Sequence, residues 1–224
     1  MSSAEKRPDM PSYTRGEELF NMVSHIVGGG LGVVVLLACV IVAAYHQNTW
    51  GVVSGMIYGF SVILLFTMSS LYHGLRMGIP KRVFRVLDHC AISILIAGTA
   101  TPVLLTGFRE AYPQHAWMLF AAIWGLAIAG VVLNAINLRR FLVLSMVCYL
   151  GMGWMAVFSV NQLVSVLGLT FFVLLLSGGI LYTIGVLFYA LGKRKRYMHS
   201  VFHIFVILAS VLHSVAIIMF TMPL

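Results

Sequence analysis

The sequence predicts an all-α membrane protein built as a bundle of seven transmembrane helices. Of its 224 residues, 61% are hydrophobic and 9% are charged, which leaves too few polar side chains to cover a water-soluble globule. The apolar stretches run near the roughly 20 residues that a helix needs to cross a bilayer, and they lack the alternation of an outer-membrane barrel. Because backbone groups in lipid must pair within the chain, we expect these stretches to be helices.

The formal net charge of +8 does not indicate a nucleic-acid partner. The basic residues stand in short clusters between apolar stretches, which is typical of loops that face an anionic leaflet. We therefore expect an integral membrane protein with a membrane lipid as its partner and no nucleic acid. The sequence indicates no particular oligomeric state.

The chain divides into a tail and one transmembrane domain. Residues 1–16, with Pro8 and Pro11 among charges, are predicted to be a cytoplasmic tail, and residues 17–224 a single seven-helix domain. Small residues open the first span and allow close helix packing, while Pro102 predicts a kink in the third. The predicted spans are residues 25–45, 51–73, 87–106, 116–137, 141–160, 166–191 and 199–220.

The distribution of Lys and Arg predicts the orientation of the bundle. Seven spans place the loops alternately on two sides, and every Lys and Arg except Arg109 then falls on the side of the N-terminus. Cytoplasmic loops carry the excess of these residues. The N-terminus is therefore predicted to be cytoplasmic and the C-terminus outside, in the cell's inner (plasma) membrane.

Two histidines four residues apart, His199 and His203, open the last span. On a helix this spacing puts both imidazoles on one face, so both can reach one metal ion. Hydrogen-bonded interior histidines adopt the same spacing, and the pair alone is a weak signal. His213 lies about 15 Å further along the helix, too far to join the same ion, and we expect it to make an interior hydrogen bond.

Polar side chains converge at the predicted cytoplasmic ends of four spans. Three histidines from two helices with a nearby carboxylate fit a catalytic zinc site, in which three protein ligands leave one position for water. Imidazole also suits iron, copper and nickel, and the alternative is that these groups only hydrogen-bond one another at the headgroup level. The converging residues are Glu18, Asn21, His25, Ser69, His73, Asp88, His89, His199 and His203.

Four motifs follow one another along these spans. They read E-L-F-N-M-V-S-H at residues 18–25, S-S-L-Y-H at 69–73, D-H at 88–89 and H-S-V-F-H at 199–203. Their order resembles the haemolysin III-type branch of the progestin and adipoQ receptor family. The segments A-G-T-A-T-P at 97–102 and Y-L-G-M-G-W at 149–154 are also similar to bacterial members. The resemblance covers nearly the whole chain after the tail.

The resemblance implies a zinc ion (Zn²⁺) near the cytoplasmic end of the bundle, held by His73, His199 and His203. It implies that Asp88 and Ser69 surround the water in the site. Asp88 would orient or deprotonate that water, and Ser69 would donate a hydrogen bond to a developing oxyanion. The remaining residues of the converging group are candidates for contacts around the metal ligands, namely Glu18, Asn21, His25 and His89.

The same resemblance extends to the alkaline ceramidases and implies hydrolysis of a membrane lipid amide, with a role in membrane lipid homeostasis. One alternative is a sensor or regulator of the membrane in which zinc only stabilises the bundle. A pore-forming haemolysin is less favoured, because a secreted pore-former has to insert from a soluble state and this chain has no soluble face.

Overall fold

The first helix starts where the chain supplies its own cap. The Thr14 hydroxyl accepts a hydrogen bond from the Glu17 N–H, and the Glu17 carboxylate accepts one from the Thr14 N–H, which is a capping box. The computed structural model describes residues 10–192 and 194–224, and in it helix α1 (Arg15–Tyr45) begins well before residue 25. The cap explains this earlier start.

Some residues of the sequence predictions lie outside the described part of the chain. They are Lys6, Arg7 and Pro8 of the predicted tail and Lys193 of the last basic cluster.

Six further α-helices follow α1, and the described residues contain no strand, which confirms the prediction of an all-α protein. A π-helix at Val103–Phe108 follows α3, and a 3-10 helix at Met155–Ser159 joins α5 to α6. The further helices are α2 (Thr49–Gly74), α3 (Ile79–Pro102), α4 (Arg109–Ala111), α5 (Pro113–Trp154), α6 (Val160–Leu191) and α7 (Met198–Phe220).

Five helical runs of the described chain are long and apolar enough to cross a membrane. They are Arg15–Tyr45, Thr49–Gly74, Ile79–Ala111, Pro113–Leu191 and Met198–Phe220. The fourth run is not one straight helix. Asn137 has φ −160° and ψ 88° inside α5, and Gly168 has φ 82° inside α6. The Asn137 side chain accepts a hydrogen bond from the Arg140 N–H, so the helix restarts after this break with a cap.

The predicted kink at Pro102 is a change of helix type. Proline has no N–H to donate, and its ring crowds the preceding turn. The α-helix ends at Pro102, and the next six residues form the π-helix. The Thr106 hydroxyl donates to the Pro102 carbonyl group at 2.6 Å and satisfies part of the disturbed backbone.

Helix α2 packs between its neighbours and brings four helix ends together. It packs against α1 and α3, and α7 packs against α1 and α6. A Cβ atom at Gly59 would lie 2.6 Å from the Leu36 Cα atom, so only glycine allows this approach of α1 and α2. At the opposite end of the bundle, the Asn48 side chain donates to the Thr221 and Met222 carbonyl groups. The end of α2 lies beside the starts of α1, α3 and α7, because His73 contacts Glu18 of α1, its carbonyl group contacts Lys81 of α3, and its ring lies with those of His199 and His203 of α7.

Candidate metal centre

The three histidines predicted as ligands lie together at one end of the bundle. His73 is on the last turn of α2, His199 and His203 are on the first two turns of α7, and all three are buried. Their candidate ligand nitrogens lie within 4.8 Å of one another. The Nε2 atoms of His199 and His203 are 3.1 Å apart. The ring nitrogens of His199, His203 and His73 are thus directed to one region between α2 and α7.

The arrangement of these nitrogens fits a metal ion. Ligands at about 2.0–2.1 Å around a tetrahedral ion are roughly 3.3 Å from one another, which is close to the 3.1 Å between His199 and His203. The His73 Nε2 atom is buried without a hydrogen-bond partner in the described chain, although buried ring nitrogens are normally paired. Neutral imidazole ligands are compatible with several transition metals, so the donors indicate a metal but not which one.

The start of α7 is fixed by a contact from α1. Tyr197, the residue before the helix, has φ 61°, a left-handed conformation that is uncommon for a residue with a side chain. Its N–H donates to the Glu17 Oε1 atom at 2.6 Å, and Glu17 is buried. This bond fixes the position of the backbone from which His199 begins.

The Glu18 carboxylate bridges His73 and a buried lysine. One of its oxygens, Oε2, is 2.6 Å from the His73 Nδ1 atom. The other, Oε1, is 2.8 Å from the Lys81 Nζ atom. The Lys81 side chain is only 1% exposed. Because a carboxylate only accepts hydrogen bonds, the proton of the neutral His73 ring lies on Nδ1, which leaves the Nε2 lone pair for a metal.

Asp88 and Ser69, the two predicted catalytic residues, line the same cavity. Ser69 is buried on α2. The Asp88 side chain is 17% exposed and lines the same cavity as His199 and His203. An acidic group therefore lies on the wall of the space into which the histidines open.

His89 does not join the three histidines. Its Nδ1 atom is 2.9 Å from the Arg85 carbonyl oxygen, so this nitrogen carries the proton. Its Nε2 atom accepts a hydrogen bond from the Tyr189 hydroxyl at 3.3 Å. With both nitrogens engaged, neither is available to a metal.

A buried polar network that was not predicted holds this part of α3. The Tyr149 hydroxyl donates to the His89 carbonyl group at 2.7 Å and accepts from the Asn134 side chain at 2.7 Å. The Ser145 hydroxyl donates to Asn134 Oδ1. These residues stand on the two sides of the Asn137 break, so the network ties both parts of α5 to the backbone next to Asp88.

His25 and Asn21 lie beside the three histidines. The His25 ring stacks on the His203 ring, with centroids 3.8 Å apart, and its edge meets Phe66. Both ring nitrogens of His25 and both polar side-chain atoms of Asn21 are buried without a hydrogen-bond partner in the described chain. This position is compatible with the predicted contacts around the metal ligands.

Tyr13, which was assigned to the tail, covers the histidines. Its ring stacks on His199 with centroids 4.8 Å apart, and it lies 5.6 Å from the His73 ring. Burial, reinforced by nearby Tyr72 and other groups, raises the pKa of the Tyr13 phenol. The phenol therefore stays neutral at physiological pH and forms an uncharged cover over the ligand rings.

A cavity of about 220 Å³ leads from the histidines into the apolar interior. His203, Ser69 and Asp88 line one end of it, and the walls continue along α3 and the π-helix to Phe108. The described lining is mainly apolar. His213 also lines the cavity, but its Nε2 atom donates to the Leu175 carbonyl group at 3.0 Å, which confirms the predicted interior hydrogen bond.

The same polar residues fall within a match to a known family. The family model described as Haemolysin-III related matches residues 13–214. The chain belongs to the haemolysin III family. The matched range starts at Tyr13 and contains every residue of the site described above.

Individual haemolysin III proteins are similar along most of this chain. Hemolysin-3 of Bacillus cereus is 35% identical over 98% of this chain and 98% of its own length. The Hemolysin-3 homolog of Bacillus subtilis (strain 168) is 36% identical over 87% and 90%. The human monocyte to macrophage differentiation factor, a distant member of the progestin and adipoQ receptor family, is 27% identical over 76% and 71%. No solved structure matches the chain.

Removal of the Tyr13 ring is predicted to expose His199. In metal-free protein, Tyr13→Ala should raise the rate at which diethyl pyrocarbonate modifies His199 several-fold, because the stacked ring no longer shields the imidazole. Peptide mass spectrometry reads the modification. Tyr45→Ala is the matched control, since it removes a tyrosine of α1 that is already 83% exposed. Equal rates for His199 in Tyr13→Ala and the unaltered protein would contradict the shielding.

Proposed function

We propose that this haemolysin III protein is a zinc-dependent hydrolase that cleaves a membrane lipid, an amide in preference to an ester. One observation carries the proposal: three buried imidazoles converge, and two of them, His199 and His203, line an apolar cavity whose wall also holds the Asp88 carboxyl group. This combination supplies a metal site, a proton acceptor and room for a hydrocarbon chain. Membrane lipid homeostasis is the role that fits such an activity.

Zinc is the metal that we assign to His73, His199 and His203. The three ligands are neutral imidazoles, the donor type of several catalytic zinc sites with an open fourth position. Bound zinc supplies Lewis acidity, which activates water at neutral pH and polarises a carbonyl group. Glu18 supports this assignment, since it orients His73 through Nδ1.

Asp88 is assigned the role of general base toward the attacking water. Its side chain is 17% exposed and lines the cavity that His199 and His203 also line. Ser69 lines the same cavity, and we assign it the hydrogen bond to a developing oxyanion. A positioned base contributes about 10²–10⁴ to a rate.

The apolar cavity is assigned to the acyl chain of the substrate. Its described walls along α3 and the π-helix carry Ile92, Leu95, Ile96, Val103 and Leu104. Such a lining favours hydrocarbon over polar ligands. The scissile bond of a lipid in this cavity would lie near the histidines and Asp88, where the polar groups are concentrated.

The proposal includes seven membrane crossings, with the N-terminus and the metal site on the cytoplasmic side of the plasma membrane and the C-terminus outside. The run Pro113–Leu191 has 79 residues, which would measure about 120 Å if straight, against a hydrocarbon core of about 30 Å. The break at Asn137 and the 3-10 helix Met155–Ser159 divide it into three parts. Together with the other four runs, this division supports seven crossings.

A non-catalytic sensor is the second candidate. The contacts at the site join three helices, because Glu18 of α1 holds His73 of α2 and the other two histidines are on α7. A metal there would staple the helix ends together, and a change in the membrane could be transmitted through it. No product is formed in this case.

The seven crossings predict where added cysteines are labelled. A membrane-impermeant maleimide should label Phe158→Cys on intact cells and Arg140→Cys only after permeabilisation, because both side chains are exposed but lie at opposite ends of one crossing. The unaltered protein controls for its own cysteines, of which Cys39 and Cys90 are buried. Labelling of both positions from the same side would rule out the crossing between them.

Metal analysis of the purified protein tests the ligand set. We expect about one zinc ion per chain, and loss of that zinc in His73→Ala, which removes one of the three ligands. His46→Ala, a change at an exposed histidine after α1, should retain the zinc. If neither the unaltered protein nor His46→Ala contains zinc, both candidate functions lose their basis.

Turnover of an N-acyl lipid in mixed micelles tests the chemistry. Asp88→Asn should lower the rate by about 10²–10⁴ because the general base is lost, while the zinc content stays unchanged. Ser70→Ala is the control and should leave the rate unchanged, since the Ser70 hydroxyl donates to the Phe66 carbonyl group of its own helix. Product formation that is unaffected by Asp88→Asn would refute the assigned base. A lower unfolding temperature after zinc removal, with no lipid product by mass spectrometry, would favour the sensor.

A further inference from the structure

Lys81 is the most buried of the Lys, Arg, Asp and Glu side chains in the described part of the chain. It is 1% exposed, whereas its neighbour Arg82 is exposed. It also stands in the first turn of α3, where the helix dipole disfavours a cation. A lysine is buried at such a position only when partners outside its own helix hold it.

All three protons of the Lys81 ammonium group have acceptors. One contact is with the Glu18 Oε1 atom at 2.8 Å. The other two are with the carbonyl oxygens of Leu75, at 3.1 Å, and His73, at 3.5 Å. The last carbonyl groups of a helix have no partner within that helix, so the cation caps the end of α2 and complements its dipole. Lys81 thus holds both the backbone of His73 and the carboxylate that contacts its ring.

We propose that Lys81 is a positioning residue for the metal centre, which acts through Glu18 to fix the ring of His73 with Nε2 toward His199 and His203. The inference rests on the proposed metal site, and it adds Lys81, which is neither one of the proposed ligands nor one of the residues predicted to surround them. Glu18 is 21% exposed, so without a partner for Oε1 its side chain can turn toward solvent. The His73 ring then loses the acceptor that fixes both its orientation and the nitrogen that carries the proton.

The affinity for zinc is the first readout of this arrangement. Loss of the carboxylate that orients a metal-bound histidine costs about 10–100-fold in metal affinity. We expect a loss of this size in both Lys81→Met and Glu18→Gln, measured by competition with a chelator of known affinity in purified full-length protein. Lys81→Arg keeps the cation and should restore most of the affinity. Arg82→Met is the matched control, since it removes an exposed cation one residue away.

The visible spectrum of bound Co²⁺ is the second readout, and it separates positioning from general stability. Lys81→Met and Glu18→Gln are expected to change the cobalt d–d bands, because His73 approaches the ion differently, whereas Arg82→Met leaves them unchanged. Glu18→Gln preserves the size of the side chain and leaves residue 81 unchanged. It therefore serves as the test variant if Lys81→Met does not fold.

Unaltered zinc affinity and cobalt bands in folded Lys81→Met would overturn the inference, and this result does not coincide with failure of the proposed function. A lower unfolding temperature of the same variant, with affinity and bands unchanged, would make Lys81 a structural anchor only. If Lys81→Met does not fold, unaltered affinity and bands in folded Glu18→Gln overturn the inference instead. If the unaltered protein itself binds neither zinc nor cobalt, the metal site fails instead.

Discussion

Every charge buried at the end of this bundle needs a partner within the chain, and the site is built around that requirement. Glu18 contacts both His73 and Lys81, so one carboxylate is the partner of both groups. These contacts join the ends of α1, α2 and α3. A carboxylate, an ammonium group and an imidazole would each be costly alone at low dielectric. Together they are neutral overall and leave one ring nitrogen, His73 Nε2, without a hydrogen-bond partner in the described chain. The first turn of α1 continues the pattern, since Glu17 holds the start of α7 through Tyr197.

The sequence predicted the class of the fold better than the limits of its helices. Apolar stretches of membrane length require helices, because lipid offers no partners for backbone groups, and this argument does not depend on tertiary contacts. The start of α1 at Arg15 follows from the Thr14 and Glu17 capping box. This pattern is visible in the sequence, but the polar composition of the segment led us to assign it to the tail. The break at Asn137 is different. Its backbone angles depend on how the two parts of α5 pack, and a single asparagine does not reveal them.

The candidate site was predictable where its residues share one helix face or one end of a span. The i, i+4 spacing of His199 and His203 and the level of His73 follow from helix geometry alone, and the structure brings these three together. Lys81 and Tyr13 were not found, because a lysine in a short loop and a tyrosine in a tail have the same appearance in the sequence whether or not they are buried. Their positions depend on the Glu18 side chain and the His199 ring, which are contacts between separate helices.

The number of available donors bears on whether a metal here would be structural or catalytic. Structural zinc sites are usually closed by four protein ligands, whereas catalytic sites keep three and an open position. In residues 10–192 and 194–224, the group of converging ligands contains His73, His199 and His203 and no fourth member. His25 stacks its face on His203 rather than pointing a nitrogen to the same place. Tyr13 covers one side of the rings and the cavity with Asp88 lies on another. An open position that faces the cavity would lie beside Asp88, which is the arrangement that the proposed hydrolase requires.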